Sequence, residues 1–129
     1  MLTAIKDYFK TAFGWGEPIS IGKIDNNEQR AICFYNSRTQ RTTAHTFGGR
    51  ALQSYRHYPV TILLRYGKGK QAAQDMAESV FSFFDESQFT IDGRHAFALS
   101  IYDGPIDLGT DDNGVFEYSV ELDIYIKKE

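Results

Sequence analysis

Residues 116 to 127 alternate strictly between apolar and polar side chains, which is typical of a strand with one buried face, and the predicted strand covers residues 115 to 127. The apolar positions are Phe116, Tyr118, Val120, Leu122, Ile124 and Ile126, and between them lie Glu117, Ser119, Glu121, Asp123, Tyr125 and Lys127. At about 3.3 Å per residue the strand would span about 43 Å, roughly twice the usual length. We therefore expect it to bend at a bulge or to pair partly outside its own chain.

Two other segments have the three- and four-residue spacing of amphipathic helices. The first covers residues 2 to 13, with Leu2, Ile5, Phe9, Ala12 and Phe13 on one face, and Gly14 ends it. The second follows Gly67-Lys68-Gly69, and its apolar stripe is Ala73, Met76, Ala77, Val80, Phe83 and Phe84. We expect both stripes to pack against the core of the protein.

Shorter patterns predict the remaining strands. Residues 19 to 24 and 31 to 35 flank the turn-rich tetrad Asp25-Asn26-Asn27-Glu28, which predicts a hairpin. Pro59 opens a strand through Tyr66 that is apolar on nearly both faces, so we expect it inside the sheet. The dipeptide Asp92-Gly93 suits a two-residue turn and predicts a tight hairpin around it.

Residues 36 to 57 show neither period and are polar, which predicts a long functional loop. The resulting order is helix, hairpin, loop, strand, helix and strands. This order predicts an α+β fold, a mostly antiparallel four- to five-stranded sheet with two helices on one face. At 129 residues, the chain from 1 to 129 is expected to form a single domain.

Several classes of protein do not fit this composition. The apolar stretches are far shorter than the roughly 20 residues of a membrane span. The first residues lack the apolar centre of a signal peptide, so we expect synthesis inside the cell. The single cysteine, Cys33, excludes an internal disulfide framework.

Candidate chemistry is sparse. Cys33 lies within an apolar strand, and neither His45 nor His57 near it stands in a catalytic signature. Cys-x-x-Cys and His-x-x-x-His spacings are both missing, which excludes structural zinc. The acidic segment 107 to 114 suggests calcium, but the first and twelfth positions of an EF-hand would be Gly109 and Val120. A different oxygen site for calcium stays open as an alternative; we expect no metal, no cofactor and no enzymatic activity.

Charge is strongly segregated although the net charge is only −3. Residues 36 to 57 hold four arginines and no acid, and residues 103 to 123 hold seven acids and no base. The arginines are Arg38, Arg41, Arg50 and Arg56; the acids are Asp103, Asp107, Asp111, Asp112, Glu117, Glu121 and Asp123. Three interpretations of the basic loop stay open: contact with nucleic acid, solvation by water alone, or pairing with carboxylates of another copy.

Four segments carry a resemblance to a known family. They are residues 19 to 25 (Ile-Ser-Ile-Gly-Lys-Ile-Asp), 59 to 66 with the following helix through Phe81, 103 to 109 (Asp-Gly-Pro-Ile-Asp-Leu-Gly), and 117 to 120. In this order and spacing, from about Pro18 to Lys127, the chain resembles minor capsid proteins of the tail-terminator class from long-tailed phages. The stretch from 103 to 109 is the most specific part, and residues 39 to 57 match least well.

The resemblance implies a structural protein without activity or cofactor. Such proteins form a six-fold ring that caps the tail tube, stops its polymerisation and joins the tail to the head connector. The implied partners are copies of the chain, the tail tube protein and a head-completion protein, with unspecific DNA contact in the ring lumen. The implied location is the tail or neck of a virion made in the cytoplasm of a host bacterium. Two alternatives stay open, another head–tail connector or neck protein, and a small nucleic-acid-binding module using the basic loop.

A ring uses head-to-tail contacts, in which two different surfaces of one subunit complement each other. We expect these surfaces to be the two charged segments, with the overlong last strand adding an open edge. The basic side would be Arg38, Arg41, Arg50 and Arg56, and the acidic side Asp107, Asp111, Asp112, Glu117, Glu121 and Asp123.

Overall fold

A computed structural model describes residues 1–24, 29–37 and 54–128. Helix α1 is Leu2–Phe9, continued by a π-helical turn Lys10–Gly14, and helix α2 is Lys70–Phe84. The strands are β1 Ile19–Ile21, β2 Arg30–Asn36, β3 Tyr55–Tyr66, β4 Ser87–Ile91, β5 Arg94–Ser100, β6 Ile106–Thr110 and β7 Phe116–Lys127. Both predicted helices and the α+β class are confirmed.

The seven strands form one mixed sheet in the order β1-β2-β3-β7-β5-β4. Strand β6 also pairs with β7, opposite residues 116–119, while β5 lies opposite residues 122–126. The prediction of a mostly antiparallel sheet is confirmed, but four to five strands was too few. The sequence pattern missed β6 because four of its five residues are exposed.

One hydrophobic core joins both helices to the same face of the sheet. The predicted buried positions of β7 from Tyr118 to Ile126 are at most 3% exposed, which confirms the alternation. Along α2, the stripe beginning at Ala73 is buried or partly buried against the same core. Phe9 of α1 has ring neighbours on α2 and on β2, so it connects the two helices and the sheet.

The predicted first hairpin is wrong, because β1 and β2 run parallel. Ile19 lies opposite Ile32 and Ile21 opposite Phe34. After Ile21 the chain turns at Gly22, whose φ of 81° is open mainly to glycine, and the Gly22 N–H donates to the carbonyl of Phe34. Strand β2 therefore begins at the same end of the sheet as β1. Residues 25–28, the expected turn, lie outside the described residues.

The expectation that the last strand offers an open edge is also wrong. Strand β3 pairs with β7 from residue 117 to residue 127, and β5 and β6 share the other edge. The length of β7 is accommodated because β3 is equally long, with twelve residues in each strand. A bulge does occur, but in the partner strand β6, between Asp107 and Gly109.

Strand β3 is an interior strand, as predicted, but it begins at Tyr55 and not at Pro59. Proline is tolerated at position 59 because the N–H that it lacks would point to the place where β2 ends. The Pro59 carbonyl accepts the N–H of Ser37 at 3.0 Å, just beyond the last residue of β2. The hairpin at Asp92-Gly93 is confirmed, with φ values of 51° and 75° that fit a tight two-residue turn.

Candidate functional site

The acidic side chains of β7 lie on the face of the sheet opposite the helices, which we name the outer face. Each of three carboxylates contacts a side chain of β3. The shortest distances are 3.2 Å from Arg65 Nη1 to Glu117 Oε2, 2.6 Å from Thr61 Oγ1 to Glu121 Oε2, and 2.6 Å from His57 Nε2 to Asp123 Oδ1. These carboxylates are therefore held by their own chain.

Arg65 forms ion pairs with two carboxylates, those of Asp111 and Glu117. Its side chain is 1% exposed, and Nη2 donates to Asp111 Oδ2 at 2.6 Å. The other carboxylate oxygen of Asp111 accepts the N–H groups of Asn113 and Val115. Because a buried guanidinium requires opposite charge, the two acids compensate Arg65 and attach the turn before β7 to β3.

The hydrogen bonds to Asp111 lower the pKa of its carboxyl. The backbone hydrogen bond from Val115 is the largest cause, followed by the hydrogen bond from Arg65. Both stabilise the ionised carboxylate, so the pKa lies below its ordinary value of 3.8. Asp111 thus acts as an ionised structural link at neutral pH.

Glu121 connects three neighbouring strands. Its Oε2 accepts from Thr61 at 2.6 Å and from Ser37 at 3.1 Å, and the two hydroxyls lie 2.8 Å apart. Ser37 follows β2, Thr61 is on β3 and Glu121 is on β7. The contact joins these strands on the outer face, where the helices are not present.

The predicted site residues therefore separate into three groups. Four acids have partners within the chain: Asp111, Glu117, Glu121 and Asp123. Arg56, Asp107 and Asp112 are exposed. Arg38, Arg41 and Arg50 lie outside the described residues, so their expected contacts stay predictions. The contact of the acids with another copy is likewise a prediction.

Sequence reasoning missed the β3 partners of these acids, namely His57, Thr61 and Arg65. The signal was present for Arg65, an arginine in an otherwise apolar strand two residues after Leu63. An isolated buried cation needs an anion, and the regular acids of the last strand were the nearest source. The register between the strands, which pattern alone does not give, decides which acid it meets.

A second surface lies beside β6. Six large hydrophobic side chains are exposed among the described residues, and four of them fall in residues 99–108. We name these four the apolar rim: Leu99, Ile101, Tyr102 and Leu108, which are 42%, 38%, 54% and 51% exposed. The exposed acids Asp103, Asp107 and Asp112 lie in and after the same segment. Leu99 is on β5 and Leu108 is on β6, and these two strands pair with different parts of the same edge of β7. Exposed apolar groups along one edge are typical of an interaction surface.

A third surface is the end of the sheet where β3 and β5 begin and β7 ends. Tyr55 lies opposite Lys127, Arg56 opposite Ile126, and the N–H of Lys128 donates to Ser54. Arg94 opens β5 two residues before Ala96, which also lies opposite Ile126. We name this cluster the basic end: Arg56, Arg94, Lys127 and Lys128. Arg56, Lys127 and Lys128 are exposed.

The described residues show little that points to catalysis. Among them, no group of three or more His, Cys, Asp and Glu side chains is placed to hold a metal ion. None of the helices they form has the length and apolar character needed to cross a membrane. Cys33 is 1% exposed within β2. What the described residues do provide is a sheet with charged and apolar surfaces.

Comparison with known families identifies the family of the chain. A family model described as bacteriophage tail terminator protein matches residues 10–128. The chain belongs to this family, which confirms the resemblance, and the family is structural and part of the phage tail. No curated protein and no solved structure matches the chain significantly.

Proposed function

We propose that this protein ends tail growth by forming a ring on the last layer of the tail tube. The observation that carries the proposal is the family match over residues 10–128. A terminator must bind the last layer of the tube and prevent the addition of another layer. A rigid subunit can do both because it presents different surfaces to different partners. The stiff outer face and the separate apolar and basic surfaces support this role.

The proposed ring contains six copies and contacts the tail tube protein on one side and a head-completion protein on the other. Duplex DNA passes its lumen with unspecific contact only. The role requires no catalytic step and no cofactor. Binding of three partners instead requires that the subunit keep its shape, and the pairing of Arg65 with Asp111 and Glu117 supports that property.

Contacts between the copies involve charge in this proposal. Arg38, Arg41 and Arg50 of one copy would be part of a basic surface that faces Asp107 and Asp112 of the next, and exposed basic side chains of the sheet would share this surface. The other predicted acids would hold the outer face in shape, because they already have partners in their own chain. Replacing both Arg41 and Arg50 by Glu should therefore weaken ring formation, and the Asp112→Arg variant should partly restore it.

Removal of the gene from a phage that carries it tests the function. Electron microscopy should show headless tails of uncontrolled length, and the gene supplied in trans should restore normal particles. Headless tails of normal length would instead assign the protein to a later connector step. Ordinary particles without the gene would exclude both roles.

A further inference from the structure

We propose that the apolar rim of one copy binds the basic end of the next copy. This inference rests on the proposed ring and names its contact. The rim contains four of the six large exposed hydrophobic side chains of the described residues, so covering it removes apolar surface from water. It therefore marks one side of an interface.

The charged residues around the apolar rim indicate which kind of surface can cover it. The exposed charges in residues 99–112 are Asp103, Asp107 and Asp112, with no base among them. A partner must carry positive charge to approach this segment without repulsion. Strand β4, an outer strand of the sheet, fails this condition because Asp85, Glu86 and Asp92 flank it. The basic end meets it, with Arg56, Lys127 and Lys128 exposed.

Long basic side chains also suit an apolar surface. Lysine and arginine lay their methylene stems on apolar groups while the charged ends reach neighbouring carboxylates. Arg56 already lies flat on a ring in its own chain, with its guanidinium carbon 4.9 Å from the centre of Tyr58. Against a neighbouring copy, Lys127 would cover the rim and reach Asp107 or Asp112.

The two surfaces are far enough apart to be used at once. Gly109, beside Leu108, lies opposite Glu117, and Tyr55 lies opposite Lys127. The distance along β7 between these points is about 33 Å at about 3.3 Å per residue. Leu99 lies opposite Asp123, about 13 Å along β7 from Lys127, so the separation applies to the part of the rim around Leu108. Two different and separate surfaces give a head-to-tail contact, which closes into a ring when the rotation between copies allows it.

Cysteine cross-linking in assembled particles tests the contact directly. The only native cysteine, Cys33, is buried, so introduced thiols report without interference. The double variant Leu108→Cys with Lys127→Cys, mildly oxidised on phage tails, should give a ladder of disulfide-linked copies. Each single variant should give no disulfide-linked ladder. The matched control Leu108→Cys with Glu78→Cys places the second thiol on the exposed side of α2 and should also give no ladder.

Charge exchange provides the second test. Replacing both Asp107 and Asp112 by Lys, or both Arg56 and Lys127 by Glu, should each weaken association at least tenfold by sedimentation or native mass spectrometry. Combining all four substitutions should restore it. The control pair Asp75→Lys and Glu78→Lys, on the exposed side of α2, should leave association unchanged.

The outcomes separate this contact from the proposed function. Tails of normal length without a ladder from the double cysteine variant would overturn the contact and leave the function intact. A link from Leu108→Cys to the tail tube protein would show a different occupant of the rim and would also overturn it. If the Arg56 and Lys127 reversals lowered duplex DNA binding but left association unchanged, the basic end would be a DNA surface and the inference would be wrong.

Discussion

Arg65 of β3 donates a 2.6 Å hydrogen bond to Asp111, which lies outside any strand, in the turn before β7. Through this contact the most buried cation of the described residues fixes the turn that leads into β7. The same arginine holds Glu117 at 3.2 Å on β7 itself. A feature that looks like free acidic surface in the sequence is thus part of the internal structure.

Removing the arginine should destabilise the protein strongly. The Arg65→Ala variant leaves two partly buried carboxylates facing each other without a cation, and we expect a loss of about 3 kcal/mol in the free energy of unfolding. Urea denaturation followed by circular dichroism measures it. The control Arg56→Ala, at an exposed arginine, should cost less than about 1 kcal/mol. Equal losses would show that the buried pairing contributes nothing specific.

The Asp111 pair should also make stability depend on pH. Its pKa is below the ordinary value of 3.8 in the folded chain, so the unfolded chain binds more protons at acidic pH. Its contribution is fully present above that value and is lost as the pH falls through the folded pKa. The Asp111→Asn variant should be less stable than the wild type at neutral pH, and the difference should shrink as acid is added. A difference that stays constant with pH for Asp111→Asn would contradict the assignment.

Glu86, two residues after the end of α2, has a strained backbone, and a substitution there can increase the stability of the protein. Glu86 follows the last helical residues with a φ of 57°, a left-handed conformation that favours glycine. We expect Glu86→Gly to stabilise the protein by about 0.5 to 1 kcal/mol, measured from urea midpoints. The matched control Glu78→Gly, in the exposed middle of α2, should destabilise it by about 1 kcal/mol. A loss in both variants would show that glycine's flexibility in the unfolded chain dominates.

The sequence predicted those helices and strands in which the spacing of apolar residues shows that one face is buried. The alternation of β7, the stripe of α2 and the Asp92-Gly93 turn were sufficient for the helices, the main strands and the α+β class. It did not predict the parallel pairing of β1 with β2, because periodicity indicates which side of a strand is buried and not the direction in which the strand runs. Strand β6 was missed for a related reason, since an exposed edge strand carries no alternation.

Prediction of the candidate surfaces was limited by register. Charge segregation is visible in the sequence, but whether an acid is free or paired depends on which side chain lies across from it. Glu117 and Asp123 look equivalent along β7, yet one meets Arg65 and the other meets His57. The apolar rim was also overlooked, because Leu99, Ile101 and Leu108 resemble core residues until the fold leaves them uncovered.

The last prediction concerns Phe9, which is fully buried where α1 meets the sheet and α2. Its ring centre lies 5.5 Å from that of Phe34 on β2 and 5.7 Å from that of Phe84 on α2. Replacement by alanine removes these contacts and leaves a cavity that fixed strands cannot fill, so Phe9→Ala should cost about 4 kcal/mol in the free energy of unfolding. Phe97, half-buried on the outer face and stacked on Tyr125, provides the control. Phe97→Ala should cost about 1 to 2 kcal/mol, because water can enter the space that it leaves. Hydrogen exchange should then show faster opening of α1 in the Phe9 variant only; equal exchange of α1 in both variants would mean that other contacts hold this helix on the sheet.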